Sequence, residues 1–284
     1  MLLLCRSRVL ELSTPVVMGV LNVTPDSFSD GGLYLDPQVA FGHAARMVEE
    51  GAAIIDVGGE STRPGAAPVS ESEELRRVLP VIERLVGLPT LISIDTSKPR
   101  VMREACAAGA ALVNDVCALR QAGALAAVKE SGAAVCLMHM QGEPRTMQSA
   151  PTYGDVVGEI GDFLAERLQA CVHAGIAAER VVLDPGFGFG KSLTHNLQVL
   201  AGLERFHSLA RPLLVGLSRK SMLGALTGLS VEQRGSAGVV AATLALWQGA
   251  RIVRTHDVRA TVEAVKLVAA VRQARAAGMG TKDE

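Results

Sequence analysis

One recurrence restricts the fold more than any other feature. Eight short apolar, β-branched runs, at Val16–Asn22, Ala53–Gly58, Leu91–Asp95, Ala111–Asp115, Ala134–His139, Val181–Asp184, Leu213–Leu217 and Arg251–Thr255, alternate with stretches of helical periodicity. Runs that are apolar on both faces belong to strands buried on both sides, as in a parallel sheet whose crossover helices cover it. Right-handed strand–helix–strand units repeated eight times close on themselves. The predicted architecture is α/β: a single eight-fold βα (TIM) barrel of parallel strands and outer helices, with residues 1–284 as one domain. A doubly wound open sheet is the competing arrangement of the same alternation. No low-complexity linker, charge run or short repeat divides the chain.

Helix boundaries are written into the intervening segments. Asp36-Pro37 predicts an N-cap and a first-turn proline, with Val39, Ala40, Ala44, Met47 and Val48 on the buried face and Gly51 as terminator. Ser70 and Glu73 predict a capping box ahead of Leu75, Val78, Leu79, Ile82 and Leu85, with a kink at Pro80. Ser97-Lys98-Pro99 opens a third helix, Val156 to Cys171 forms a long amphipathic one, and Asp257 caps the last, which carries Val262, Val265 and Val268. Segments 24–35 and 59–69, rich in Gly, Pro and Ser, read as functional loops.

Composition removes several function classes. A formal net charge of -1 gives no electrostatic case for nucleic acid or an anionic membrane. No stretch approaches the roughly 18 uncharged apolar residues of a membrane span. The Met1–Cys5 run is cut short by Arg6 and reads as an ordinary first strand rather than a signal peptide. The five cysteines are scattered, form no C-x-x-C pair, and fit a reducing compartment; the expected location is the cytoplasm. Small-molecule chemistry is what remains.

The polar residues fall where the apolar runs end: Asn22, Asp56, Asp95, Asn114 with Asp115, His139, Asp184, Ser218 with Lys220, and Arg254 with His256. Each one alone could merely cap the next helix. In a barrel all eight ends open into one bowl, where buried carboxylates need a donor-rich ligand or a metal to satisfy them. Ser218-Arg219-Lys220 and Arg254-Thr255-His256 follow the last two strands, where barrel enzymes commonly seat a phosphate. The run Asp184–Ser192 fails as a Walker A loop because Pro185 takes the first glycine's place, and as G-x-G-x-x-G because Lys191 takes the last. It reads as a glycine-softened loop. His139 has no second histidine at ligand spacing and reads as a hydrogen-bonded structural residue.

Two segments, Met18–Gly32 (MGVLNVTPDSFSDGG) and Ile55–Gly65 (IDVGGESTRPG), closely resemble the signature segments of dihydropteroate synthases. The likeness continues through Asp95–Pro99, Asn114-Asp115, Leu137–Gly142, the Asp184 loop, Gly216–Ser221 and Arg254–Asp257, and so covers nearly the whole chain. It implies an enzyme of folate biosynthesis that joins 4-aminobenzoate to a 6-hydroxymethyl-7,8-dihydropterin diphosphate, with Mg²⁺ as cofactor and sulfonamides as inhibitors. It also implies residue roles. Asp95, Asn114, Met138, Asp184 and Lys220 would form the pterin pocket, and Asn22, Arg254 and His256 the diphosphate site, with Asn22 also the metal ligand. Phe28, Thr62, Arg63, Pro64, Phe189, Ser218 and Arg219 would frame the aminobenzoate. Lys220, Arg254, His256, Asp95 and Asp184 would carry the catalysis. A homodimer is expected by the same resemblance, with neither nucleic acid nor membrane as partner, although the register of the helix after Arg234-Gly235-Ser236 against the family pattern is open. Rival readings are a methyltetrahydrofolate:corrinoid methyltransferase, which needs no diphosphate site, and a non-catalytic pterin-binding paralogue.

Overall fold

The computed structural model describes residues 1–24, 36–61, 68–142, 147–148 and 150–279. The chain begins with an antiparallel hairpin of β1 (Leu2–Cys5) and β2 (Arg8–Glu11). Eight parallel strands follow: β3 (Val16–Asn22), β4 (Ile54–Gly58), β5 (Leu91–Asp95), β6 (Leu112–Asp115), β7 (Ala134–Met138), β8 (Val181–Asp184), β9 (Leu214–Gly216) and β10 (Ile252–Thr255). They pair in the order β8-β7-β6-β5-β4-β3-β10-β9. The ring closes between β8 and β9 through the parallel Leu183–Leu213 bridge, with the Leu183 N–H donating to the Pro212 carbonyl at 3.0 Å. The sheet is a barrel, not a doubly wound open sheet.

Between the strands run α1 (Pro37–Glu49), α2 (Glu71–Leu85), α3 (Pro99–Ala108), α4 (Ala124–Ser131), α5 (Val156–His173), α6 (Leu193–Ala201), α7 (Ser221–Thr227), α8 (Gly235–Trp247) and α9 (Val258–Met279). The Asp36 carboxylate accepts from the Gln38 N–H, as an N-cap ahead of Pro37 should, and Gly51 takes a φ of 104° just past the C-cap. Ala40, Ala44 and Met47 are buried, but Val39 is exposed, because the buried stripe is narrower than the apolar one. At α2 the Ser70 hydroxyl accepts from the Glu73 N–H, whereas the Glu73 carboxylate turns to Arg76 and Arg77, so only half of the capping box forms. The helix continues through Pro80 to Leu85.

Strand alternation decides what faces the barrel axis. In β3 to β5, Val17, Leu21, Ile55, Val57, Ile92 and Ile94 pack outward in the large core beneath the helices. Met18, Ile54, Leu91, Leu112, Ala134, Cys136, Val182, Leu214 and Ile252 form a second core inside the barrel, together with Leu3, Cys5 and Leu12. The N-terminal run is therefore not a barrel strand: with β2 it folds into a plug against the lower interior. No periodic signal distinguishes those two roles for four apolar residues. One step higher on the same inward faces the side chains turn polar, at Asp56, Ser93, Asp95, Asn114, Asp184 and Arg254.

Candidate functional site

At the C-terminal ends of the strands these residues meet in a cavity of about 670 Å³. Every residue to which the resemblance gives a role, within the described segments, lines it, whereas the strand-end residues Asp56, Asp115 and His139 do not. Asn22, Asp95 and Asn114 come from the ends of β3, β5 and β6, Met138 and Asp184 from the adjacent ends of β7 and β8, and Arg254 from β10. Phe189, Ser218, Arg219, Lys220 and His256 enter from the loops that follow β8, β9 and β10. Phe28, Thr62, Arg63 and Pro64 lie outside the described residues.

The floor is an ionic lattice joining four strands, β4, β5, β6 and β10. Arg254 Nε donates to Asp56 Oδ2 at 2.6 Å and its Nη2 to Asp95 Oδ2 at 2.8 Å. Asn114 Nδ2 donates to the same Asp56 oxygen at 3.0 Å. Asp56 is fully buried, and its Oδ1 and the Ser93 hydroxyl beside it have no hydrogen-bond partner among the described residues. Asp56 was visible in the sequence as a strand-end carboxylate, but its partnership with Arg254 spans 198 positions and leaves no local trace. Asp115, one position past Asn114, faces outward and accepts from Ser97 Oγ, the Cys117 N–H and the Leu119 N–H at 2.6, 2.8 and 2.7 Å. It is a loop-capping residue, while its neighbour faces the cavity.

Burial sets the charges. Removal from water raises Asp184 to about 6, against an N–H bond from Gly186 at 2.7 Å and the pull of Lys220. The same penalty lifts Asp95 to about 7, opposed by Arg254 and reinforced by Asp56. Lys220 falls to about 8 by burial, with Asp184 working against the fall. Arg254 is held above its ordinary range by Asp56 and Asp95, which outweigh its own desolvation, so it is a permanent cation. Asp95, Asp184 and Lys220 therefore titrate near neutrality, as groups meant to exchange solvent for a polar ligand do.

The mouth is built from loops with fixed partners. Lys220 Nζ stands 4.3 Å from the centre of the Phe189 ring, a cation–π contact. Ser218 Oγ is 3.1 Å from His256 Nδ1 and accepts from the His256 N–H at 3.2 Å, tying the loop after β9 to that after β10. Arg219 pairs with Asp257 at 3.3 Å and adopts a φ of 58°. Across the cavity Lys98 bridges Glu60 and the buried Glu74 at 2.6 and 2.5 Å, which anchors the loop after β4 to α2. That cluster, and Gln148 and Arg234 on the cavity wall, were not singled out from the sequence, since none of them ends an apolar run.

A parallel barrel with one polar cavity at its strand C-termini, half carboxylate and half cation, defines a βα-barrel enzyme acting on a small, polar, anionic molecule. A family model described as pterin binding enzyme matches residues 18–256. A dihydropteroate synthase of Escherichia coli K12 is 52% identical over 276 residues, 97% of this chain and 98% of that protein. The crystal structure of the Yersinia pestis dihydropteroate synthase with a sulfonamide drug superposes at a TM-score of 0.94 and 52% identity, covering 96% of this chain and 100% of that one. The Burkholderia cenocepacia dihydropteroate synthase complexed with 7,8-dihydropteroate gives 0.88 at 49% identity, over 96% and 97%. The chain belongs to the pterin binding enzyme family, and within it to the dihydropteroate synthases, which are transferases.

Proposed function

We propose that the cavity joins 4-aminobenzoate to the methylene carbon of a 7,8-dihydropterin methyl diphosphate, releasing diphosphate and giving 7,8-dihydropteroate. The observation that carries the reading is the juxtaposition of Asp95, Asn114 and Asp184 with Lys220 and Arg254 in one cavity. A pterin ring presents amino and ring N–H donors that suit two carboxylates, Asn114 can donate and accept, and Lys220 Nζ can donate to the ring carbonyl. Met138 supplies an apolar wall. Arg254 and His256 stand where the diphosphate would leave and stabilise its growing negative charge. Asp95 and Asp184, ionised, favour a cationic pterin-methyl centre, which the neutral aniline nitrogen attacks. No side-chain nucleophile is required.

Phe189, Ser218 and Arg219 frame the aminobenzoate, and by resemblance Phe28, Thr62, Arg63 and Pro64 complete that side. The same pocket would take a sulfonamide. Among the described residues no group of three His, Cys, Asp or Glu side chains is placed to hold a metal. The donor set fits Mg²⁺ of the kind bound largely by water and substrate phosphates, with the Asn22 amide oxygen as its protein ligand. When bound, the ion supplies charge neutralisation of the departing diphosphate.

The protein is further proposed to act as a cytoplasmic homodimer. No helix among the described residues is long and apolar enough to cross a membrane, and the scattered cysteines, with no C-x-x-C pair, suit a reducing compartment. The test of function is release of diphosphate from the pterin substrate in the presence of 4-aminobenzoate and Mg²⁺. Binding of the pterin with no release supports a non-catalytic carrier instead. In the same assay Arg254→Ala is expected to lower kcat/KM by about 100-fold or more. Its affinity for a hydroxymethyl pterin without the diphosphate should change far less, and equal losses in both would remove Arg254 from the leaving-group site.

A further inference from the structure

Behind the cavity wall, and outside the cavity lining, lies Lys191, 3% exposed and assigned no role by the chemistry above. Its ammonium makes three contacts: His139 Nδ1 at 2.9 Å, the Gly186 carbonyl at 2.9 Å and the Phe189 carbonyl at 3.0 Å. Burial lowers Lys191 to about 7, against the pull of Asp184; in its protonated form three donors meet three acceptors, so nothing is left for a ligand. For Nδ1 to accept, His139 must be neutral with its proton on Nε2. That agrees with a ring pushed down to about 3 by burial and by the Lys191 charge.

The loop that Lys191 holds is the one that carries Phe189. Gly186, at φ 71°, passes so close to the His139 carbonyl that a Cβ there would overlap it. The Gly188 N–H donates to Asn196 Oδ1 at 2.8 Å, and Tyr153 Oη donates to the Gly190 carbonyl at 2.7 Å. These neighbours fix the two flanks. The turn between Gly186 and Phe189 is closed by the Phe189 N–H donating to the Gly186 carbonyl at 3.1 Å and is held from outside by the Lys191 ammonium, and its Phe189 ring meets Lys220 inside the cavity.

We propose that Lys191 is a positioning residue for the aryl-amine substrate: its ammonium, fully occupied by His139 and two loop carbonyls, sets the direction of the Phe189 ring. The inference rests on the reading of that side of the cavity as the 4-aminobenzoate subsite. Asp95, Asn114 and Met138 stand on strand ends away from this turn, while Asp184 meets it only through the Gly186 N–H and Lys220 only through the Phe189 ring, so loss of the ammonium weakens the aryl-amine side more than the pterin side.

In Lys191→Met, the KM for 4-aminobenzoate is expected to rise about tenfold or more, with the KM for the pterin diphosphate within about threefold of the parent. Equal rises in both overturn the proposal. A pair of His139 variants separates hydrogen bonding from packing, because His139 also lies edge-on to Phe163 at 5.0 Å. His139→Asn keeps an acceptor near Nδ1 and loses the ring; His139→Leu keeps apolar volume and loses the acceptor. The KM split should appear in the Leu variant and be largely absent from the Asn variant, and the reverse order makes the site a packing element only. This pair decides the question even if Lys191→Met does not fold. Amide hydrogen exchange at 186–190 needs no substrate: in Lys191→Met, or in His139→Leu if that protein fails, it should speed up there selectively. Unchanged exchange rejects the strut, whereas absence of turnover in the parent enzyme counts against the substrates alone.

Discussion

Asp184 shows how far a single buried group can be read, and where it turns against the fold. Its carboxyl moves from an ordinary 3.8 to about 6, chiefly by desolvation. Between those values the folded chain keeps a proton that the unfolded chain has released, so this contribution to stability is complete below pH 3.8 and is lost as pH rises through about 6. Above that, the ionised carboxylate burdens the fold and serves the ligand. Asp184→Asn retains an oxygen that can accept from Gly186 and removes the charge. Its unfolding free energy at pH 8 is expected to exceed the parent's by about 1–3 kcal/mol, with a much smaller difference at pH 4. Pterin affinity should fall steeply in the variant, and in the parent it should weaken as pH drops below about 6. A variant no more stable than the parent at pH 8, in urea titrations, would sink this account. The sequence marked Asp184 because it ends an apolar run, and Arg254 for the same reason. It could not mark the bond from Arg254 to Asp56, which the closure of the barrel alone creates, nor the burial of Lys191, which stood out only as the residue spoiling a glycine motif.

The eight barrel strands were legible because both of their faces are apolar over most of their length, and the structure trims their ends by a residue at most, as at Ala53, whose N–H still donates to the Val17 carbonyl at 3.0 Å. The first strand, β1, was legible too, but its pairing with β2 and its place beneath the barrel were not. Leu3, Cys5 and Leu12 are fully buried against the lower barrel interior, while Leu2 and Val9 are exposed. Arg6 donates to the Ala110 carbonyl at 3.3 Å, and Arg8 to that of Thr90, which seats the hairpin on the loops below the barrel. A plug of this kind stabilises the barrel from the end opposite the cavity. Leu3→Ala should therefore cost about 2–5 kcal/mol, seen as a fall of at least about 5 °C in Tm. Pterin affinity below the transition should stay within about twofold of the parent. A lost affinity at unchanged Tm would assign the hairpin to the site rather than to the core.

Taken whole, the described residues present a face that the barrel does not explain. Along α8, Val240, Leu244 and Trp247 are 60%, 50% and 41% exposed at a spacing that aligns them on one side. On the adjoining α9, Leu267 and Val271 are 63% and 46% exposed, and the guanidinium groups of Arg272 and Arg275 lie 5.9 and 5.8 Å from the Trp247 ring. The sequence could not separate this face from the barrel-facing one, because α8 is apolar all round, with Ala241, Ala242, Ala245 and Leu246 buried on the other side. Large apolar side chains grouped on two neighbouring helices suit a second copy of the same face, packed about a two-fold axis. Replacing Val240 and Leu244 together by Glu should place like charges across that axis and shift sedimentation from dimer to monomer. Trp247 is the chain's only tryptophan, so its emission should move to longer wavelength in the same variant as the ring meets water. Turnover per chain should persist, because neither Val240 nor Leu244 lines the cavity. A dimer that survives both glutamates, with unchanged Trp247 emission, moves the interface elsewhere on the surface.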